Sequence, residues 1–224
     1  TVYCSAKGYP HRQSVYKNAD LKYVPLDANG SQSILYDIIS LIKATKKSDV
    51  VLILGVSGCC FLPIYRLFSK KRLIINIDGL EHRREKWGKY AKAFLKFSEK
   101  MAVKHADVVV ADNKGIQDYV KKEYRTETEL IAYGGDHVLC DITDVEEEIL
   151  EKYGLKNISY SFSLCRIEPE NNVHVILEAF KASGKELFFV GNWNRSPYGK
   201  SLLEKYAKYG NIHLLSPIYD VKTL

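Results

Sequence analysis

Several short, largely apolar stretches constrain the fold most: Asp49 to Gly55 (DVVLILG), Leu73 to Ile77, broken only by Asn76, and Asp107 to Ala111 (DVVVA). A strand with one wet face alternates apolar and polar residues. An unbroken apolar strand is expected to be covered on both faces. Amphipathic stretches at helical spacing lie between these runs, as in Ile34, Leu35, Ile38, Ile39 and Ile42. A chain that alternates such strands with such helices buries both by layering helices over a parallel sheet. The 224 residues suit one large domain or two smaller ones. At 46% hydrophobic and 27% charged, the composition supports a real core.

Taken in order, Val2 to Ser5 reads as a short strand and Leu21 to Leu26 as a second, with Pro25 marking its end or an edge. Asp27 to Gly30 is a turn, after which Ser31 is expected to cap a helix to about Lys46. Cys60 to Phe68 reads as a helix with Pro63 near its first turn. A long helix, Arg83 to His105, carries Trp87, Tyr90, Ala91, Phe94, Leu95, Met101 and Ala102 at helical spacing, with lysines between them. Asp112-Asn113 caps the helix that ends near Tyr124, and Leu130 to Ala132 is a last short strand.

These elements make a first Rossmann-like domain, residues 1–140. The second, residues 141–224, opens with an acidic connector, Asp141 to Asn157, whose helix Val145 to Tyr153 is ended by Gly154. A strand to Cys165 follows, then a helix from Val173 to Ser183, strand Glu186 to Val190, helix Tyr198 to Tyr209 and strand Ile212 to Leu215. Asp220 to Leu224 reads as the start of another helix. A doubly wound sheet with no closing strand leaves an apolar edge open. The second domain is therefore expected to be incomplete, and the chain to be truncated at both ends.

Several function classes are disfavoured. No apolar run approaches the ~20 residues of a membrane span. The five cysteines are irregularly spaced and lack a C-x-x-C pair, so they read as buried thiols of a reducing cytosol. The six histidines are scattered without ligand spacing, so no metal site is expected. Gly55-Val-Ser-Gly58 lacks the glycine pattern of a dinucleotide or Walker loop. The net charge of +6 favours anionic partners, but the lysines are spread and no nucleic-acid motif appears.

Two stretches carry candidate chemistry. In Phe162-Ser-Leu-Cys-Arg-Ile-Glu-Pro-Glu-Asn-Asn-Val173, a strand ends in Arg166, and Asn171-Asn172 open a helix. In open α/β sheets ligands sit outside the carboxyl ends of strands. A helix N-terminus offers free N–H donors and partial positive charge, and arginine holds two phosphate oxygens at once. The stretch is a candidate diphosphate site; the alternative is a plain surface arginine in a strand-to-helix loop. In Asn76-Ile-Asp-Gly-Leu-Glu-His-Arg-Arg-Glu-Lys-Trp87, Asp78 ends a strand with Glu81, His82 and Arg83 crowded behind it. The alternative there is an ordinary Asp-Gly turn. The lysine-and-aromatic helix either meets an anionic lipid surface or covers the sheet with a solvated lysine face. Gly134, Gly135 and Asp136 read as the turn between domains, with glycine allowing positive φ.

These stretches, in this order, resemble the family 4 glycosyltransferases of the GT-B fold. The resemblance rests on the junction Tyr133-Gly-Gly-Asp136, on the strand-Arg166-x-x-Pro169-Glu170 pattern, on Asp107 to Asp112, and on Leu130 to Asp136. The Asn76–Trp87 stretch is similar to the rhamnosyltransferase-type branch that builds bacterial surface polysaccharides. The resemblance implies transfer of a hexosyl or deoxyhexosyl group from a nucleotide diphosphate sugar to a glycan or lipid-linked acceptor. It implies retention of anomeric configuration, no metal and no cofactor, and a cytoplasmic enzyme at most peripheral to the inner face of the plasma membrane.

By the same resemblance Asp78 is the catalytic-position residue. Arg166 grips the donor diphosphate with Asn171 and Asn172 beside it, while Glu81, His82, Arg83, Gly134, Gly135 and Asp136 line the acceptor side or cleft. The sequence departs from the family pattern in three places. Asn171 and Asn172 stand where the family has lysine and glycine, and His82 where it has tryptophan. The family's paired glutamates would lie beyond Leu224, so this piece by itself is expected to be inactive. The alternatives are a sugar-nucleotide epimerase of the same fold and a non-catalytic nucleotide- or sugar-binding module; a nicotinamide oxidoreductase is disfavoured by the missing glycine fingerprint.

Overall fold

The chain opens with β1 (Val2–Ser5), β2 (Val15–Tyr16) and β3 (Ala19–Val24). β1 runs parallel to β3, and β2 adds to β3 antiparallel, giving a three-stranded sheet in the order β1-β3-β2. These positions belong to a computed structural model that describes residues 1–7, 9, 11–136, 139, 147–220 and 223. The chain divides into two units, Thr1–Gly134 and Gly135–Leu224.

In the first unit α1 (Gln32–Thr45) leads to β4 (Val50–Leu54). A single 3₁₀ turn, Cys59–Phe61, then runs into α2 (Leu62–Phe68), which carries proline in its first turn. β5 (Arg72–Ile77), α3 (Lys89–His105), β6 (Val108–Ala111), α4 (Lys114–Tyr124) and β7 (Glu129–Leu130) complete the unit. β4, β5, β6 and β7 form one parallel sheet in that order. Leu73, Ile75 and Ile77 of β5 are fully buried at its centre.

Some expectations need correcting. β4 is not covered on both faces: Val51 is buried, but Val50, Leu52 and Leu54 are 47%, 58% and 71% exposed. β4 is an edge strand of its sheet, and these three side chains line a cavity instead of a packed layer. The long helix begins at Lys89 rather than Arg83, because residues 81–83 form a separate 3₁₀ turn. Its buried face is Leu95, Ser98, Glu99, Ala102 and Val103, and Tyr90 is 94% exposed. Tyr90 sits one residue into the helix, ahead of the turns that reach the sheet. Ser31 occupies the N-cap position of α1 but makes no side-chain cap bond. Asn113 does cap α4, its Oδ1 accepting the Ile116 N–H at 2.9 Å.

A cavity of about 500 Å³ lies between β1, α1 and β4. Asp37 closes one end, accepting hydrogen bonds from the Ser57 hydroxyl and, at 3.0 Å, from the Gly58 N–H. Burial pushes the Asp37 carboxyl above its usual range, against the pull of those two bonds. Gly58 has to be glycine here: a Cβ would stand 2.3 Å from the Asp37 Cβ.

In the second unit α5 (Glu147–Lys152) precedes β8 (Ser161–Leu164), α6 (Val173–Ser183), β9 (Leu187–Val190), α7 (Pro197–Tyr206) and β10 (Ile212–Leu215). The three strands are parallel in the order β10-β9-β8. All four residues of β9 are buried. Around them pack Ile167, Val173, Leu177, Trp193, Leu202, Tyr206 and Ile212. α7 starts at Pro197, with the Ser196 Oγ accepting the Gly199 N–H at 3.1 Å. The expected start of the connector, residues 141–146, lies outside the described residues, as do 221, 222 and 224 of the expected last helix.

The fold is a mixed α/β architecture whose strand pairs are parallel except for β2 on β3. Of the cysteines, Cys59 is buried, Cys4, Cys60 and Cys165 are half-buried, and all four are free thiols; Cys140 lies outside the described residues.

Candidate functional site

β5 delivers Asp78 to its carboxyl end, where the residue is exposed. The turn that follows is organised around Glu81. One carboxylate oxygen accepts from Arg84 Nη1 at 2.6 Å and the other from the Trp87 indole N–H at 3.2 Å. Lys86 Nζ stands 3.8 Å from the second oxygen and also covers the Trp87 ring at 4.8 Å. Partial burial pushes the Glu81 carboxyl up, but the Arg84 and Trp87 bonds and the Arg84 and Lys86 charges outweigh it and hold it below the usual range. Both Glu81 oxygens are thus engaged in shaping the loop.

His82 turns inward. Its Nδ1 lies 3.0 Å from Oε2 of Glu99, a carboxylate only 1% exposed in the middle of α3. Oε1 of Glu99 accepts from the hydroxyls of Tyr119, at 2.6 Å, and Tyr124. Lys96 supplies the countercharge, with its Nζ 3.5 Å from Glu99, 2.9 Å from Glu123 and hydrogen-bonded to the Tyr119 hydroxyl. Burial works against the Lys96 charge, but the bonds to Tyr119 and Glu123 and the charge of Glu99 raise its affinity for the proton. Burial and the bonds to Glu99 push the Tyr119 and Tyr124 hydroxyls up. Arg83 stacks over the Tyr119 ring at 4.9 Å. A buried carboxylate is tolerated because donors surround it.

The sequence reading missed Glu99, Tyr119 and Tyr124. A signal was available: Glu99 stands between Leu95 and Ala102 on the apolar stripe of its helix, where a lone charge requires partners.

In the second unit β8 ends at Leu164, and Arg166 follows two residues on, exposed. Among the described residues its guanidinium has no hydrogen-bond or ion-pair partner. Its backbone is anchored instead: the carbonyl accepts from the Asn171 side-chain Nδ2 at 2.7 Å and from the Glu168 N–H at 2.9 Å. Neighbouring Ile167 is buried against Gly191, where a Cβ would stand 2.4 Å from the Ile167 side chain. Asn172 is the N-cap of α6 in the left-handed conformation, φ 53°, without a side-chain cap bond.

The helix end offers fewer free donors than expected. The His174 N–H already donates to the Tyr198 hydroxyl at 3.2 Å, and the His174 Nδ1 lies 2.9 Å from the same oxygen. Val175 and Ile176 donate to the Asn172 carbonyl. Among the described residues, only the Val173 amide of this first turn is left without a partner.

Glu81, His82 and Arg83 therefore share one turn behind Asp78, and Arg166, Asn171 and Asn172 share one loop. Gly134, Gly135 and Asp136 are exposed where the two units divide. Neither glycine takes the positive φ expected of it, so the conformational freedom of glycine is not what this position uses. Among the described residues no three histidine, cysteine, aspartate or glutamate side chains come close enough to hold a metal ion. No helix among them is long and apolar enough to cross a membrane.

Residues 1–136 match the sequence family described as Domain of unknown function (DUF1972). No curated protein matches the chain. Solved structures with the same fold include UDP-N-acetylglucosamine 2-epimerase from Rickettsia bellii, at 16% identity and TM-score 0.55, covering 86% of this chain and 53% of that one. The S. aureus MnaA–UDP complex aligns at 14% identity and TM-score 0.55, over 92% of this chain and 57% of that one. The catalytic domain of starch synthase IV from Arabidopsis thaliana, bound to ADP and acarbose, aligns at 14% identity and TM-score 0.50, over 86% and 52%. The chain thus spans a little over half the length of each of these structures and shares their GT-B-type fold class of Rossmann-like α/β sheets.

Proposed function

For a chain that belongs to the DUF1972 family, we propose sugar transfer from a nucleotide diphosphate sugar to a hydroxyl of a glycan or lipid-linked acceptor. The sugar is a hexosyl or deoxyhexosyl group, rhamnosyl among the candidates, transferred with retention of configuration and without a metal. The observation that carries the reading is Arg166, an exposed guanidinium with no partner among the described residues, held at the carboxyl end of β8 by an anchored backbone. When the bond between the sugar and the diphosphate breaks, negative charge grows on the departing oxygen. A preorganised cation there stabilises the transition state more than the ground state. Asn171 holds the Arg166 carbonyl, so its role is to fix the loop. Asp78, exposed at the end of β5 in the first unit, is assigned to contact with the acceptor or donor sugar in this reading, with the Glu81-centred turn following it.

The test is titration calorimetry of UDP, dTDP and GDP and their sugars against the protein and its Arg166→Ala variant. Loss of one charge-assisted contact is expected to weaken nucleoside diphosphate binding about tenfold. Unchanged affinity would remove the central assignment. The likeness to a UDP-N-acetylglucosamine 2-epimerase favours a second reading, sugar-nucleotide epimerisation. Incubation of a bound nucleotide sugar without acceptor separates the two: an epimerase changes the sugar's configuration, and a transferase leaves it unchanged or releases the nucleoside diphosphate.

A further inference from the structure

The Glu99 cluster has a consequence for His82. A carboxylate only accepts hydrogen bonds, so the Nδ1 atom 3.0 Å from Glu99 carries the ring's proton. In the neutral ring Nε2 is then an acceptor, and among the described residues Nε2 has no partner. The ring is 13% exposed at its side chain, with Tyr119 tilted beside it at 6.0 Å between centroids. His82 lies in the turn directly behind Asp78. A histidine that only filled space there would not require a fully buried carboxylate with two tyrosines and a lysine behind it. An imidazole oriented by a buried carboxylate is the arrangement that presents the other nitrogen to a hydroxyl.

We infer that His82 contacts a sugar hydroxyl through Nε2, and that Glu99 is the positioning residue that sets its tautomer. The inference rests on the proposed sugar-handling role of the Asp78 loop. The contact would select for a hydroxyl, since a neutral imidazole nitrogen accepts a hydrogen bond that an apolar substituent cannot donate. The hydroxyl belongs either to the donor sugar or to the acceptor.

The test is long-range ¹⁵N–¹H correlation spectroscopy on the protein at a pH where its imidazoles are neutral, with His82 assigned through His82→Gln. His82 is expected to carry its proton on Nδ1; a proton on Nε2 overturns the inference. Glu99→Gln, whose side-chain NH₂ can donate to Nδ1, is expected to move the proton to Nε2. If that variant does not fold, Tyr124→Phe, which removes one donor and keeps the carboxylate, should leave the tautomer as in the wild type. A changed tautomer there counts against Glu99 as the determinant.

Ligand is then added in two arms. One compares UDP, dTDP and GDP with the corresponding nucleotide sugars; the other uses methyl glycosides of glucose, N-acetylglucosamine and rhamnose. A shift of the His82 Nε2 resonance in the first arm, absent with the nucleoside diphosphate alone, assigns the donor sugar, and one in the second arm assigns the acceptor. His82→Ala should weaken the active arm about fivefold. No His82 shift in either arm overturns the contact. Failure of every nucleoside diphosphate to bind overturns the proposed function separately, and the glycoside arm still decides the contact.

Discussion

Glu99, in the middle of α3, and His82, in the turn after β5, are joined by a 3.0 Å hydrogen bond across 17 residues. Glu99 is fully buried, while His82 belongs to the loop that follows the sheet's carboxyl end. The bond ties a candidate site to the core through one side-chain pair, with Tyr119, Tyr124 and Lys96 completing the shell.

Removing the carboxylate should be costly. Glu99→Ala leaves two tyrosine hydroxyls and the His82 Nδ1–H without their acceptor and Lys96 without its buried partner. A loss of about 3 kcal/mol is expected, the range for breaking a buried charged network. Urea denaturation followed by circular dichroism checks it; a loss under about 0.5 kcal/mol, the usual surface value, would mean the cluster contributes little.

Arg166→Ala should separate binding from stability. The side chain is exposed and unpartnered among the described residues, so the midpoint of unfolding should stay within about 0.5 kcal/mol of the parent while nucleoside diphosphate affinity falls. Thermal denaturation and calorimetry on the same sample test both halves. A large stability loss would show that Arg166 supports the fold instead.

Gly58→Ala should destabilise the first unit. A Cβ at 2.3 Å from Asp37 forces α1 away from the strand exit or breaks the Asp37 bonds to Ser57 and Gly58. A cost of about 1–3 kcal/mol is expected. Thermal denaturation of the variant measures it, and an unchanged midpoint would mean α1 shifts freely.

Tyr36 gives a pH dependence. Burial, followed by the neighbouring Cys4 and Asp37, pushes its hydroxyl from 10.0 up to about 12. The hydroxyl donates to the Tyr3 carbonyl at 2.6 Å. Between those two values the unfolded chain has lost the proton and the folded chain keeps it. The folded state therefore binds more protons, and stability falls as pH rises through the window. The difference between parent and Tyr36→Phe should be constant below pH 10 and shrink above it. Equal alkaline slopes for the two proteins would refute the assignment.

Glu81 has the opposite sign. Its folded carboxyl is held below 4.5, so its contribution is present above that value and fades as pH falls through the lowered one. Glu81→Gln should flatten stability in that acid range. It should also shift Trp87 fluorescence, since the indole N–H loses its carboxylate acceptor. An unmoved spectrum would place Trp87 away from Glu81 in solution.

The alternation of apolar runs and amphipathic helices was enough to read the α/β class, the parallel strands and the positions of Asp78 and Arg166 at strand ends, because those follow from local periodicity and strand polarity.

Other features depended on which residues meet across the fold. Sequence spacing placed Tyr90 on the buried stripe of its helix, but the sheet is reached only by later turns. β4 looked covered on both faces, yet its place at the sheet edge leaves one open. The free donors expected before α6 are largely taken, because α7 brings the Tyr198 hydroxyl onto the His174 amide. Glu99 carries no local pattern that names its partners. Local chemistry determined the strands, helices and strand-end charges; the long-range packing of α3 and α4 decided that a lone glutamate on an apolar stripe would become the acceptor that orients His82, since only tertiary contact supplies the donors that make its burial stable.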